Sequence, residues 1–260
     1  MSTAPVLFVS HGAPTFALEP GDLGSQLSSV GSSLNGVRAI VCISAHWQTD
    51  DIKVSTNQEP STIHDFYGFA QELYELNYPA KGQADVAKDV LTCLHEHGLT
   101  ASADAERGFD HGVWVPLLHL RRHADIPIVC VSLPFDATAD LALQVGRALS
   151  SLRRDGVMIT GSGSMTHNLS HYRAGQSAEV YPYVNDFTQW VRDKILSASV
   201  NDLQRYRELA PAAKLAHPTQ EHFLPIFCAL GASTSDDQLQ ILSTEVLYGM
   251  LSMESYLWQA

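Results

Sequence analysis

The chain has 260 residues, of which 45% are hydrophobic and 17% charged, so it can bury a large core and has too much apolar content to be disordered. Its 28 acidic residues outnumber 16 basic ones, giving a formal net charge of −12. This balance argues against a general affinity for nucleic acids or anionic membranes. Two basic pairs, Arg121-Arg122 and Arg153-Arg154, lie in amphipathic stretches and are expected on solvated helix faces.

Short apolar runs rich in valine and isoleucine predict buried strands, because each run is bounded by glycine, proline or aspartate. These runs cover residues 6–10, 37–44, 126–133 and 157–160, and a fifth strand is predicted within 238–247. Apolar residues at helical spacing predict helices over 82–97, 139–154, 181–196 and 219–230. Thr219 is the predicted N-cap of the last helix.

The alternation of strands and helices predicts an α/β fold with a central, mainly parallel or mixed sheet and helices on both faces. No internal repeat or long linker divides the sequence, so a single catalytic domain spanning residues 1–260 is expected. Four cysteines lie far apart without a CxxC pair and are expected to be free thiols. The N-terminal apolar run lacks a basic flank, and no apolar stretch reaches about 20 residues, so a cytoplasmic protein without a membrane partner is predicted.

Twelve histidines are an excess for a protein that is not basic, and neutral imidazole is the commonest metal ligand. His11, His46 and His167 each follow a predicted strand. Because ligands bind at the carboxyl ends of the strands in open α/β sheets, we expect these three side chains to share one site. His222, with Glu221 beside it, lies in the first turn of the predicted helix that Thr219 caps. His111 lies among aromatic residues and glycines, as a pocket wall would.

The segment Gly161-Ser162-Gly163 follows a predicted strand and permits two other interpretations. It resembles a phosphate-binding loop, but the lysine of a P-loop and the third glycine of a dinucleotide site are missing. Ser162 or Ser164 could instead be an acyl-transfer nucleophile, although the G-x-S-x-G elbow is absent.

Six motifs in order resemble the 4,5-DOPA extradiol dioxygenase family, which belongs to the class III extradiol ring-cleavage dioxygenases and is related to the catalytic subunit of protocatechuate 4,5-dioxygenase. The motifs are His11-Gly12-Ala13-Pro14, Ser44-Ala45-His46-Trp47, Ile63-His64-Asp65-Phe66, Gly108-Phe109-Asp110-His111-Gly112, His167-Asn168-Leu169 and the run from Pro218 to Pro225. The resemblance extends from residue 6 to about residue 250. It implies ring opening of a catechol such as DOPA by dioxygen at a non-haem metal centre.

The resemblance further implies that His11, His46 and His222 are the metal ligands, that His167 is an acid/base residue beside the metal, and that His111 is a further catalytic histidine near the substrate. It implies Fe(II) as the active metal, with Zn(II) able to fill the same site in isolated protein. Glu221 is a competing third ligand, because adjacent helical residues point about 100° apart and only one of the two can face the metal.

The substrate pocket should be aromatic, and its candidate wall residues are Trp47, Phe66, Tyr67 and Trp114. A zinc-dependent hydrolase, a tetrapyrrole metal chelatase and a non-catalytic metal-binding protein are alternatives. The physiological catechol, the ring bond cleaved and the oligomeric state stay open at this stage.

Overall fold

A computed structural model describes residues 3–175 and 178–260. Within these residues, eight strands form one mixed sheet in the order β4-β3-β5-β2-β6-β1-β10-β7, and two short strands, β8 and β9, pair separately. The strands are Val6–Ser10 (β1), Ala39–Thr49 (β2), Ile52–Ser55 (β3), Ala101–Asp104 (β4), Ile128–Pro134 (β5), Val157–Gly163 (β6), Gln238–Leu242 (β7), Val246–Leu247 (β8), Leu251–Ser252 (β9) and Ser255–Gln259 (β10).

Helices cover both faces of the sheet. They are Gly21–Ser33 (α1), Gln71–Glu75 (α2), Ala84–Glu96 (α3), His111–Leu120 (α4), Ala139–Leu149 (α5), Pro182–Leu196 (α6), Val200–Gln204 (α7), Tyr206–Leu209 (α8), Ala213–Ala216 (α9) and Pro225–Ala232 (α10), with 3₁₀ turns at Pro14–Ala17, Ser150–Asp155 and Leu169–His171.

The four central strands β5, β2, β6 and β1 run parallel, so their carboxyl ends meet at one edge. The outer strands β3 and β10 pair antiparallel with β5 and β1, which makes the sheet mixed. Because successive strand residues point to opposite faces, Val6 and Phe8 join the core that contains α5 and α10, whereas Leu7 and Val9 join the core that contains α1 and α4. The predicted single-domain α/β fold with a mixed, two-sided sheet is confirmed.

The element boundaries differ from the predictions where backbone turns override side-chain periodicity. The helix predicted over 139–154 ends at Leu149 and continues as a 3₁₀ turn to Asp155, where Gly156 takes a positive φ of 77°. The helix predicted from Thr219 begins only at Pro225, so the N-cap assignment of Thr219 is wrong. Proline lacks a backbone N–H and fits the first turn of a helix, which explains the later start.

The expectation of a solvated face for Arg153 is wrong. Its side chain is 1% exposed and pairs with Asp237, Nη2 to Oδ1 at 2.6 Å, while Nη1 donates to the Ala232 carbonyl at 2.9 Å. Helical periodicity could not reveal this contact, because Asp237 lies in a distant turn. The four cysteines are free, as expected. Among the helices of the described residues, none combines the length and apolar character needed to cross a membrane.

Candidate metal centre

Three histidines meet at the carboxyl edge of the parallel strands. His11 follows β1 directly, and its backbone N–H donates to the Gly163 carbonyl at 2.9 Å. His46 lies inside β2, where the pairing with β5 shifts register between Ile43 and Gln48. His222 lies in the turn before α10. Central strands and the loops that follow them thus bring together side chains that are up to 211 positions apart in the sequence.

The Nε2 atoms of these three imidazoles converge on one point. The Nε2 atoms of His46 and His11 are 3.1 Å apart, and those of His222 and His46 are 3.3 Å apart. Two adjacent nitrogen ligands bound about 2.0–2.1 Å from one ion lie about 2.8–3.4 Å apart, from octahedral to tetrahedral geometry. The spacing of the three nitrogens therefore fits a single metal ion.

Hydrogen bonds on the far side of the His11 and His222 rings leave the converging nitrogens of these two rings as acceptors. Ser162 Oγ donates to the Gly112 carbonyl, so it must accept from His11 Nδ1 at 3.0 Å. His222 Nδ1 donates to Glu221 Oε1 at 3.0 Å. Once Nδ1 carries the proton, a neutral imidazole presents a lone pair at Nε2. Lone pairs that face one another repel unless a cation lies between them. Their orientation therefore indicates a metal centre independently of the nitrogen spacing.

Burial keeps the three rings neutral. Loss of solvation, together with the neighbouring imidazoles, holds the pKa of His11 well below its ordinary value, and loss of solvation does the same for His222. Burial, reinforced by His111, lowers the pKa of His46 to about 4. Neutral imidazole is the form that binds a metal, so the three candidate ligands are in the required form at neutral pH.

Glu221 contacts His222 from the side opposite to the convergence point. Its Oε1 accepts from both His222 Nδ1 and Thr219 Oγ1, the latter at 2.9 Å. Burial raises the pKa of Glu221, but the hydrogen bond from His222 and the other favourable contacts of the carboxylate, including the hydrogen bond from Thr219, together outweigh burial and lower that pKa to about 2. A carboxylate in this position orients the imidazole and increases its basicity. This geometry favours His222 over Glu221 as the third ligand.

The backbone around His46 is fixed by a buried polar network. His46 N–H donates to Ser44 Oγ at 3.2 Å, and Ser44 Oγ donates to Asp110 Oδ1 at 2.6 Å. Arg107 Nη2 donates to Asp110 Oδ2 at 2.6 Å and to the His46 carbonyl at 3.4 Å. The guanidinium lies 5.1 Å from the Trp47 ring. These contacts hold the bulged segment of β2 that aims His46 at its partners.

Asp65 connects His111 to the metal-site residues. Its Oδ1 accepts from both the backbone N–H and Nδ1 of His111, each at 2.9 Å, and its Oδ2 lies 3.7 Å from His46 Nδ1. Burial opposes ionisation, yet the hydrogen bond from His111 keeps the pKa of Asp65 below its ordinary range. The rings of His111 and His46 are 4.0 Å apart, so His111 reaches the cluster with Nε2 left for a ligand.

His167 lies against the third ligand candidate. Its ring stacks on His222 with 3.5 Å between centroids and 8° between planes, and the backbone N–H of His167 donates to the Ala216 carbonyl at 2.8 Å. Burial lowers the pKa of His167 to about 4. A neutral imidazole beside the cluster can accept a proton from a bound ligand.

The segment Gly161-Ser162-Gly163 is part of β6 and supports the site through its backbone. A Cβ at Gly163 would lie 2.2 Å from the His222 carbonyl oxygen, so only glycine permits this approach. The Ser164 N–H donates to the same carbonyl at 2.7 Å. Ser162 is fully buried between His11 and Gly112, so neither the phosphate-loop nor the nucleophile interpretation describes it.

A cavity of about 760 Å³ opens beside the cluster. Five histidines line its wall: His11, His46, His111, His167 and His222. The aromatic residues of the segment Asp65–Ala70, with Tyr172 and Tyr248, also line it. Phe66 and Tyr67 line it, as expected. Trp47 and Trp114 do not: both side chains are buried, and Trp114 Nε1 donates to the Ile63 carbonyl at 3.0 Å. The cavity thus has an aromatic wall, but these two tryptophans lie in the hydrophobic core and are not part of it.

Strand-end placement predicted that His11, His46 and His167 share one site, and the structure brings these three together with His111 and His222. It did not identify the residues that orient these histidines. Asp65, Ser162 and Gly163 contact the site histidines directly, yet each is a common residue type whose partners lie 46 to 151 positions away in sequence. The one sequence signal was the pair of glycines, Gly161 and Gly163, on either side of Ser162, because glycine allows other backbone segments to approach closely.

Comparison with known proteins places this geometry in a family. A family model described as the catalytic LigB subunit of aromatic ring-opening dioxygenase matches residues 25–256. The chain belongs to this family. Membership in the aromatic ring-opening dioxygenases confirms the resemblance carried by the six motifs and disfavours the tetrapyrrole chelatase.

Relatives match over nearly the whole chain. Proteins named 4,5-DOPA dioxygenase extradiol from Beta vulgaris and from Escherichia coli (strain K12) are each 34% identical, covering 96% of this chain and 94% and 93% of their own lengths. Dioxygenase tasH from Hapsidospora irregularis is 33% identical over 99% of this chain and 86% of its own. A crystal structure of an uncharacterised Escherichia coli K12 protein superposes with a TM-score of 0.78 at 29% identity, covering 98% of this chain and 99% of that one.

Proposed function

We propose that this chain opens the aromatic ring of a catechol with both atoms of dioxygen, in the extradiol manner, at a metal ion held by His11, His46 and His222. The observation that carries the proposal is the convergence of three neutral Nε2 atoms, 3.1 and 3.3 Å apart, at the base of an aromatic cavity. Membership in the ring-opening dioxygenase family supports this reaction over others that a histidine-bound metal could perform.

Fe(II) is the proposed active metal, and Zn(II) suits the same three imidazoles. An Fe(II) ion held there would supply one-electron redox chemistry, which zinc lacks. The protein contributes the ligand spacing and the hydrogen bonds from His11 and His222 that fix each ring. Glu221 is proposed as the carboxylate partner of His222.

His167 is proposed as the residue that takes a proton from a catechol hydroxyl and later returns one to the product. It is neutral, it lines the cavity and it stacks on His222, so a substrate oxygen near the cluster comes within its reach. His111 is proposed to hold a substrate oxygen through Nε2, because Asp65 fixes the opposite edge of its ring. The aromatic wall would exclude water around the bound ring.

The relatives named for DOPA make DOPA the first substrate to test. Protein loaded with Fe(II) under anaerobic conditions should consume one molecule of dioxygen per catechol in an oxygen electrode and yield a yellow ring-opened product, as followed across a panel of catechols. Zinc-loaded protein should consume none. Because three imidazoles also form catalytic zinc sites, the same zinc protein is assayed with esters and amides. Hydrolysis by zinc protein, with no oxygen uptake by iron protein on any catechol, would refute the proposal.

A further inference from the structure

The mouth of the active-site cavity carries an unusual concentration of exposed apolar side chains. Tyr67 is 91% exposed, Leu169 65% and Tyr172 56%, and all three line this cavity. Among the described residues, only eight large apolar side chains are exposed at all. Clustering at a cavity mouth, rather than scatter over the surface, is typical of a binding surface.

The exposed residues continue an apolar wall that begins beside the histidines. Phe66, Phe69, Tyr248 and Met250 line the same cavity, with Phe66 5.8 Å from the His111 ring between centroids. The Tyr172 and Tyr248 rings are 5.2 Å apart. A molecule with its reactive ring at the histidines and a substituent pointing outward would lie along this wall.

Apart from the metal ion of the proposed function, the described side chains around the cavity are unfavourable for an anionic substituent. In the described part of the chain, no lysine or arginine lines the cavity, and Asp65 is its one carboxylate. Arg173 follows Tyr172 in sequence, but its guanidinium lies 3.8 Å from the Tyr181 ring and donates to the Glu179 carbonyl at 2.7 Å. Arg107, near His46, is paired with Asp110. A carboxylate that packs against this apolar wall loses part of its hydration without gaining a cationic side-chain partner, which is disfavoured.

We propose that the substrate is a catechol with an uncharged, apolar substituent that packs against Tyr67, Leu169 and Tyr172, and that the site discriminates against a carboxylate on that substituent. This inference rests on the proposed function for the position of the catechol ring. It separates the chain from relatives named for DOPA, an amino acid that carries a carboxylate.

A matched pair of ligands tests the proposal: 3-(3,4-dihydroxyphenyl)propanoate and its methyl ester. Calorimetric titration of zinc-loaded protein measures binding without turnover, and the ester should bind about tenfold more tightly than the acid. In iron-loaded protein, kcat/KM should favour the ester in the same direction. Equal or tighter binding of the acid overturns the proposal.

Variants at the mouth locate the effect. Tyr172→Ala should weaken ester binding about tenfold more than it weakens the binding of unsubstituted catechol, since catechol itself does not reach the mouth. Phe135→Ala is the matched control, because Phe135 is also an exposed aromatic, at 66%, but lies outside the cavity wall. Tyr172→Arg should reverse the preference toward the acid. An unchanged ester-to-acid ratio in both Tyr172 variants contradicts the proposal.

Two further results separate the possible failures. Ester preference in zinc protein without oxygen uptake by iron protein overturns the proposed reaction but upholds the binding preference. Loss of self-association in Tyr67→Ala, measured by sedimentation, with unchanged ester binding would assign the exposed residues to a contact between two copies and overturn the substrate assignment.

Discussion

Replacing Gly163 with alanine would push a methyl group into the backbone that carries His222. The new Cβ would lie 2.2 Å from the His222 carbonyl oxygen and 3.2 Å from Pro225 Cγ. To restore ordinary contact, the carbonyl must move by about 1 Å, which also breaks the hydrogen bond from the Ser164 N–H. Overpacking of this kind costs about 1–3 kcal/mol of unfolding free energy. Displacement of a ligand-bearing backbone should weaken metal binding by about 10–100-fold.

Two measurements separate these effects. Urea denaturation gives the stability loss, and titration of the apoprotein with Zn(II) against a competing chelator gives the metal affinity. Gly82→Ala is the control, because its Cβ would lie 1.8 Å from the Asn57 carbonyl oxygen in a segment that contributes nothing to the cavity. The control should lose stability and keep its metal affinity. If Gly163→Ala binds zinc as tightly as the wild type, the reasoning that β6 positions His222 is refuted.

Three other substitutions give separate predictions. Asp237→Asn should lower the unfolding free energy by about 3 kcal/mol at neutral pH, because it leaves the Arg153 guanidinium buried and unpaired. Burial raises the pKa of Asp237, but the hydrogen bonds and the charge of Arg153 lower it below its ordinary value. The loss of unfolding free energy in Asp237→Asn is therefore full above pH ~4 and shrinks as the pH falls through that lowered pKa. Urea titrations at several pH values that show a constant loss would contradict this prediction. Asp65→Asn should retain metal but reduce kcat by about 10–100-fold, since His111 loses its orienting carboxylate, and metal analysis with steady-state kinetics on the iron protein checks both points. His167→Ala should also retain metal and lose about 10²–10⁴-fold in kcat, whereas loss of metal would make His167 a ligand.

The fold was predictable to the extent that strands were continuous and apolar. The runs at 6–10 and 157–160 fall within β1 and β6, and the predicted tail strand contains β7. The outer strands β3 and β4 were not predicted. Ala101–Asp104 contains only small and polar residues, and Ile52–Ser55 alternates apolar and polar residues over only four positions. The sequence of β10 is apolar, but no local pattern predicts its pairing with β1, because that pairing joins residues near the two ends of the sequence.

The candidate site was predictable where backbone position alone decides a contact. His11 and His46 lie at strand ends or bulges on the carboxyl edge, so sheet topology brings them together. The support for His222 was not predictable in the same way, because it depends on a turn that docks onto Gly163. The orienting role of Asp65 likewise depends on a loop conformation that no periodic pattern encodes.

The metal content of purified variants tests most directly whether His11, His46 and His222 hold one ion. Each variant is loaded with Zn(II), desalted and measured by elemental analysis beside a circular dichroism spectrum that checks folding. The proposed centre requires about one zinc per wild-type chain, near zero in His222→Ala and nearly full occupancy in Glu221→Ala at saturating zinc. Metal retained by folded His222→Ala and lost from folded Glu221→Ala would contradict the assignment and make the carboxylate the third ligand.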